Sequence, residues 1–321
     1  MANITITPDE LKKSAQTFRK MLLTLPGISL QTSLPYVTMR TGVQYKSTVG
    51  EINDGSQFGP YDPTRKSGDV TIKGRTLETF LGSVIKEFDP NTVLQSVYGS
   101  LIIQGEALTR TDIVKAVLSA MMISLSSGLN DALFTAVRND TGTVSKDLFN
   151  GFDTIAQSEI TANNITAALG NLYTFADVID STNAVDLLKA YYRAAKDELK
   201  GVPTQMLVPF SVKEAYEDDY QATVGSVVYN KSFEKRYLEG SDGKCEIVAL
   251  SNKAGSDIIQ LTQKNNMIVG TGSGNDLETV DVDRFSAFQV TLSSAIIFGT
   301  QYESINAKKL LIGKLAAAPT P

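Results

Sequence analysis

Apolar residues recur every three or four positions at Leu11, Ala15, Phe18, Leu22 and Leu25, the spacing of one helix face. Thr7 and Glu10 form a capping box around Pro8 and Asp9, and Pro26-Gly27 stops the run. An amphipathic helix is predicted, leading into an extended segment, Ile28–Pro35, with no core of its own. The period then changes. Tyr36–Ile52 and Val70–Phe88 are rich in Val, Ile, Thr and aromatic residues and predict strands. Between them, Asn53–Asp69 carries Gly55, Gly59, Pro60, Pro63 and Gly68 and few apolar residues. The pattern predicts a long β-hairpin with a large polar tip. A compact enzyme rarely projects such an arm, whereas a protein that grips its neighbours often does.

A long helical pattern follows. Thr109 and Asp112 make a second capping box. Ile113, Val117, Met121, Leu125, Leu129, Ala132 and Ala136 form a stripe, and Asn139-Asp140-Thr141-Gly142 ends it. The helix predicted over 110–139 is on the order of 40 Å long. From Phe149 helices and strands alternate. Asn183 caps a helix carrying Val185, Leu188, Tyr192, Ala195 and Leu199, closed by Gly201. Thr204–Val208 is a short strand broken by Pro209, and Ser211 caps a helix over Val212–Tyr220. Further strands are predicted at Glu246–Leu250, Ile258–Thr262, Met267–Val269, Thr279–Asp283, Phe288–Phe298 and Lys309–Ile312. The small-residue tail Ala316–Pro321 is expected to fray.

Composition narrows the chemistry. The 321 residues include no histidine and one cysteine, Cys245. Histidine-based nucleophile arrangements, histidine proton shuttles and His-ligated metal sites are therefore excluded, as are internal disulfides. Cys245 reads as a small apolar filler of a strand. The 30 basic and 35 acidic residues leave a net charge of −5, so no global cationic field draws the chain onto nucleic acid. No secretory signal is evident, and the most apolar long window, Ala116–Leu133, is interrupted by serines, Asn130 and Asp131. Gly270-Thr-Gly-Ser-Gly274 lacks the spacing of a phosphate loop and reads as a polar turn. Asp276, Glu278, Asp281 and Asp283 lack calcium-loop spacing and read as a solvated acidic strand. Glu217-Asp218-Asp219 reads as an exposed helix face. Asp186 and Glu198 lie far apart on one predicted helix, which is no acid pair. No cofactor or metal site is expected, and no enzyme activity.

The hairpin region mixes charges. Arg40, Lys46, Arg65, Lys66, Lys73 and Arg75 interleave with Glu51, Asp54, Asp62 and Asp69. Two readings stand: a solubilising surface, or complementary pairing with another subunit that sets register and excludes wrong partners. On the second, Arg40, Lys46, Glu51, Arg65, Lys66, Arg75 and Glu78 are the inter-subunit candidates, with specific ion pairs expected at Arg75 and Glu78.

The order of these parts resembles the major capsid protein of tailed bacteriophages, the Hong Kong 97 fold. Tyr36–Asp89 is similar to its extended loop with flanking strands, and Arg110–Asn139 to the spine helix of its peripheral domain. Gly151–Asp153 with Ile155 resembles the link leaving the spine, Thr204–Tyr220 the strand-Pro-helix step of its axial domain, and Thr279–Gly313 its closing segment, with a polar break at Gln301–Asn306. Val37–Arg40 with Gly42, and Gly59-Pro60-Tyr61, are similar to capsid proteins of phages of Bacteroidota. The resemblance implies an α+β fold. Its parts are an N-terminal arm (1–35), an extended loop (36–89), a peripheral domain (90–150 and 267–300) and an α/β axial domain (151–266 and 301–321).

It also implies self-assembly of hexamers and pentamers into an icosahedral head enclosing double-stranded DNA. The expected partners are other copies of the chain, with separate scaffolding, portal and decoration proteins, packaged DNA held by non-specific proximity, and no membrane. The expected location is the virion capsid, assembled in the host cytoplasm. Lys46, Lys66 and Lys73 lie in the loop, but no partner Asn or activating Glu for a cross-link is identifiable, so none is expected. The alternatives are an encapsulin-type shell, another phage structural protein, or an enzyme working without histidine. An arm and a hairpin without cores must find partner surface to offset their ordering entropy, and identical patches on many copies close into rings and shells.

Overall fold

The structure is a computed structural model and describes residues 33–54, 60–61, 70–88, 110–224, 237–272, 279–284 and 290–316. The helix predicted from Thr7, most of the hairpin tip and the capping box at Thr109 lie outside the described residues. In chain order the first half contains β1 (Thr38–Thr41), β2 (Lys46–Asp54), β3 (Val70–Glu78), β4 (Phe80–Phe88), α1 (Arg110–Ala132), α2 (Phe152–Thr161) and β5 (Leu172–Thr174). The second half contains α3 (Ala184–Ala194), α4 (Asp197–Lys200), β6 (Thr204–Val208), α5 (Phe210–Val224), β7 (Cys245–Ala249), β8 (Ile258–Thr262), β9 (Met267–Thr271), β10 (Thr279–Arg284), β11 (Val290–Tyr302) and β12 (Leu310–Lys314).

Two five-stranded sheets organise the chain. One has the order β5-β12-β8-β6-β7. All five residues of β6 and of β8 are buried, because side chains alternate between two cores. Met206, Val208, Ile259 and Leu261 pack with α3 and α5; Leu207 and Ile258 face the other way, toward α2 and the end of α1. The other sheet is organised by β11, which runs antiparallel to β4 along Val290–Phe298, to β10 along Val290–Ala295 and to β9 along Phe298–Tyr302. β1 lies parallel to β9 at the edge. One core containing Phe134, Phe149, Phe152, Leu207, Ile258, Val269, Phe298 and Tyr302 joins both sheets.

The predicted hairpin forms. β2 and β3 pair from Lys46 opposite Glu78 to Asp54 opposite Val70, as a two-stranded ladder separate from both sheets. Each of its predicted strands is in fact two. Gly42, at φ +81°, turns the chain out of β1 before β2 begins. Thr79, 2% exposed, interrupts β3–β4 and donates its backbone N–H to the Tyr45 carbonyl. Among the described residues, the hairpin's core is at its base, made of Val43, Val49, Leu77 and Ile268.

The spine helix ends at Ala132, seven residues before the predicted 139. Leu133, Phe134 and Ala136 are all fully buried, and the start of α2 takes over the carbonyls there. Phe152, Asp153 and Gly151 donate backbone N–H groups to the carbonyls of Leu133, Phe134 and Ala136. The approach is so close that a Cβ on Gly151 would sit 2.2 Å from the Phe134 carbonyl oxygen, which requires glycine. Asn139-Asp140-Thr141-Gly142 instead tips a loop in which Val137 and Asn139 donate to the carbonyls of Lys146 and Asp147.

Other boundaries also shift. The helix predicted to reach Gly201 stops at Ala194, and α4 is a separate turn that buries Leu199. Asp186 and Glu198 therefore stand on different helices. Asp219 is not solvated: it is 6% exposed, and its Oδ2 accepts the Val185 N–H at 2.7 Å, capping α3 from α5. Gly270 and Thr271 belong to β9, not to a turn. β11 takes up the first two residues of the expected polar break, Gln301 and Tyr302, and the break itself runs from Glu303 to Asn306; the polar residues at the strand's end find partners. Thr300 donates to the Asn150 carbonyl, and Gln301 donates to the Thr76 carbonyl.

Candidate assembly surfaces

The hairpin is fixed at its base by charge as well as by packing. Arg75 leaves β3 and places Nη2 2.6 Å from Glu159 Oε1 of α2 and 3.0 Å from Gln301 Oε1 of β11. Both ionic side chains are largely covered, at 15% and 17% exposure, and Asn164 donates to the second Glu159 oxygen at 2.7 Å. On the hairpin itself Lys46 Nζ meets Glu78 Oε1 at 2.6 Å. Hydrogen bonding and charge from Glu78 hold the Lys46 ammonium above its ordinary range. This pair is exposed and screened by solvent.

Of the seven residues singled out from the sequence, Arg75, Glu78 and Lys46 thus carry ion pairs inside the subunit. Arg40 is exposed on β1, with Nη1 3.5 Å from the Thr48 carbonyl. Glu51 lies opposite Lys73 in the ladder. Arg65 and Lys66 lie outside the described residues. At the tip, Tyr61 is 94% exposed.

A second feature is a cleft of about 780 Å³ between β4, the C-terminal half of α1, the loop 138–148 and β11. Leu81 and Val144 line it and are 53% and 61% exposed; Ile85 and Ile123, beside lining residues on β4 and α1, are 70% and 51% exposed. Arg138 stacks over Phe80 with its guanidinium carbon 3.6 Å from the ring centroid, and pairs with Asp140 at 2.5 Å. Asp131 is exposed on the α1 wall. Solvent-facing apolar groups concentrated in one concavity are the usual mark of an interaction site.

A third feature went unseen in the sequence. The turn Ser251–Lys253, whose Asn252 and Lys253 are buried, gathers polar groups from several parts of the chain. Lys253, 0% exposed, places Nζ 2.9 and 3.1 Å from the two carboxylate oxygens of Asp153 and 2.8 Å from Gln260 Oε1. Ser256 donates to Asp153 Oδ2 at 2.6 Å, and Gln260 donates to Asp153 Oδ1. The Tyr302 hydroxyl donates to the Phe152 carbonyl at 3.2 Å. Burial lowers the Lys253 pKa, and the Asp153 charge opposes that shift. Burial, then the Asp153 charge, pushes Tyr302 well above the ordinary phenol range.

Next to Lys253, Asn252 donates to Ser33 Oγ and to the Asn130 carbonyl, both at 2.9 Å, while Ser33 donates to Asn130 Oδ1 at 3.1 Å. The root of the N-terminal segment, the end of α1, α2 and β8 are thereby pinned at one place. Nothing in Ser251-Asn252-Lys253 marks it for burial, because turn residues of this kind are ordinarily solvated.

None of these features is a catalytic device. Cys245 is fully buried and free, and burial pushes its thiol up to about 12, which leaves no thiolate for nucleophilic attack at neutral pH. Among the described residues no group of three or more His, Cys, Asp or Glu is placed to hold a metal ion.

No protein-family model and no curated protein matches the sequence. Solved structures do. A chain of the satellite phage P4 procapsid, a structure that includes the size-determination protein Sid, matches with a TM-score of 0.63 at 12% identity, over 92% of this chain and 91% of that one. A chain in the capsid of the native GTA particle matches with a TM-score of 0.58 at 12% identity, over 90% and 91% of the two chains. A chain in the capsid of Myoviridae phage XM1 matches with a TM-score of 0.52 at 12% identity, over 91% and 92%. The chain has the Hong Kong 97-type fold of phage capsid proteins.

Proposed function

We propose that the chain is a major capsid protein, which self-assembles as hexamers and pentamers into an icosahedral phage head enclosing double-stranded DNA. The observation that carries this reading is the fold likeness to capsid chains, which runs over about nine tenths of both partners. The hairpin ladder adds to it, since the core that anchors this arm among the described residues lies at its base. Such an arm gains little from its own subunit and much from covering a neighbour.

In this reading 151–266 and 301–321 form the axial region that closes rings, and 90–150 with 267–300 form the peripheral region, its spine ending at Ala132. The hairpin lies across an adjacent subunit, and the arm 1–35 links neighbouring capsomers. Arg40, Lys46, Glu51, Arg65 and Lys66 set its register there, while Arg75 and Glu78 orient the hairpin from within the subunit. Scaffolding, portal and decoration proteins are separate partners. The net charge of −5 suits a wall that encloses DNA without gripping it. Assembly takes place in the host cytoplasm, without a membrane, and the chain acts as a structural protein rather than an enzyme. The likeness of Val37–Arg40 and Gly59-Pro60-Tyr61 to capsid proteins of phages of Bacteroidota supports such a phage as the source.

Negative-stain electron microscopy of the purified chain, with light scattering for mass, tests the proposal. Closed shells or capsomer rings are expected. A chain that remains monomeric at every salt and protein concentration, alone and with a co-expressed scaffold, contradicts it. Packaged enzyme instead of DNA inside native particles indicates an encapsulin-type shell.

A further inference from the structure

A lysine is almost never fully buried, yet Lys253 has no exposed surface. Its Nζ touches two carbonyl-type groups at once. One is the Asp153 carboxylate, at 2.9 and 3.1 Å; the other is the side-chain amide of Gln260, whose Oε1 accepts at 2.8 Å. Asp153 Oδ1, the oxygen nearer to Lys253, also accepts from the Gln260 amide nitrogen. Ser256 holds the other Asp153 oxygen at 2.6 Å. The site is closed: Gln260 and Asp153 are buried, the Phe134 ring centroid lies 4.5 Å from Nζ, and the Tyr302 hydroxyl is 3.3 Å from the Gln260 nitrogen.

Amide exchange needs this placement. An ammonium is no nucleophile, but a dry site disfavours charge and favours passing its proton to the neighbouring carboxylate. Burial lowers the hold of Lys253 on that proton. The amine so formed rests against an amide carbonyl. A single carboxylate oxygen reaches both the nitrogen that attacks and the nitrogen that leaves. Holding reacting groups in contact acts like a concentration of about 10⁵ M or more, and burial keeps out water, the competing nucleophile.

We propose that Lys253 and Gln260 join in an isopeptide bond within the subunit, with Asp153 carrying the protons. Lys253 gives one proton to Asp153, and Nζ attacks Gln260 Cδ. Asp153 hands that proton to Nε2, the Cδ–Nε2 bond breaks, and ammonia leaves. Asp153 keeps the second proton shed by Nζ, so the amide forms and both buried charges disappear. The reaction happens once, on the chain itself, and ties the turn 251–253 to β8 beneath the root of the N-terminal segment. It concerns the folded subunit and stands apart from the shell reading.

Mass spectrometry of the purified wild-type chain, denatured and digested with trypsin, tests it. A peptide spanning 245–264 is expected, uncut after Lys253 and one ammonia lighter than its sequence. Its backbone fragments between Lys253 and Gln260 should be missing, because the link closes a ring there. Asp153→Asn, which keeps the shape without the proton carrier, and Lys253→Arg are expected to give 245–253 and 254–264 separately at full mass. A wild-type digest containing only those two peptides overturns the inference and leaves an ordinary buried ion pair. An ammonia deficit carried by some other peptide overturns it as well, and a link that persists in Asp153→Asn contradicts the role of Asp153. Where a variant does not fold, the wild-type digest decides alone.

Discussion

The sheet β5-β12-β8-β6-β7 and the hairpin are built from similar residues and live by opposite rules. In the sheet, β6 and β8 are buried at every position and face two cores at once. In the hairpin, nine residue pairs form a ladder, yet among the described residues its core amounts to Val43, Val49, Leu77 and Ile268 at one end. An isolated two-stranded hairpin is marginal in water. The sheet therefore carries the stability of the subunit, and the hairpin carries surface meant for something else. A substitution in the sheet or at the hairpin base should change unfolding; a substitution farther out on the hairpin should change assembly.

The sharpest way to break that division is at the buried pair. Asp153→Ala leaves the Lys253 ammonium buried without its counter-charge, and is expected to cost about 3–5 kcal/mol in denaturant unfolding. The double variant Asp153→Leu/Lys253→Met, which removes both charges, recovers most of that loss. If Asp153→Ala unfolds like the wild type, the pair does not hold the joint. Arg75→Ala comes next, at about 1–3 kcal/mol, because it strips a largely covered carboxylate, Glu159, of its partner. Its expected signature beyond stability is a hairpin base more open to proteolysis.

A pH scan sharpens the comparison further. Cys245 has its folded pKa raised from 9.0 to about 12. Between those values the folded chain holds a proton that the unfolded chain has lost, so stability is complete below pH 9 and falls as pH rises toward 12. Cys245→Ala should reduce the steepness in that window by up to about 1.4 kcal/mol per pH unit. An unchanged slope would mean that the thiol titrates normally. Smallest of all is Lys46→Gln. It removes an exposed pair on the hairpin and is expected to leave the unfolding midpoint unchanged at physiological salt.

Much of this was legible in the sequence, for reasons that separate the regions. Thr204–Val208 and Ile258–Thr262 are predicted to the residue, because a short apolar run bounded by turn residues has few other fates. The hairpin was legible from the glycines and prolines of Asn53–Asp69. Two things were not. The long helix ends at Ala132 because Gly151–Asp153, well ahead in the chain, bind the carbonyls of Leu133, Phe134 and Ala136 that would have carried it on, a tertiary event without a local signal. Asp219 reads as a solvated charge and Lys253 draws no reading at all, yet both are buried, because their partners, the Val185 N–H and Asp153, are 34 and 100 residues away. The cleft was equally invisible: its walls come from four segments, and exposure of Leu81 or Ile123 follows from no pattern in the chain.

The central claim is that the hairpin contributes to assembly and almost nothing to the fold. Deleting 53–69 and closing the ladder with a tight turn tests it directly, with unfolding and particle formation measured on the same preparation. The account predicts an unfolding midpoint close to that of the intact chain, and particles reduced at least tenfold by light scattering and electron microscopy. A deletion variant that builds shells as well as the intact chain, or one that no longer folds, contradicts it.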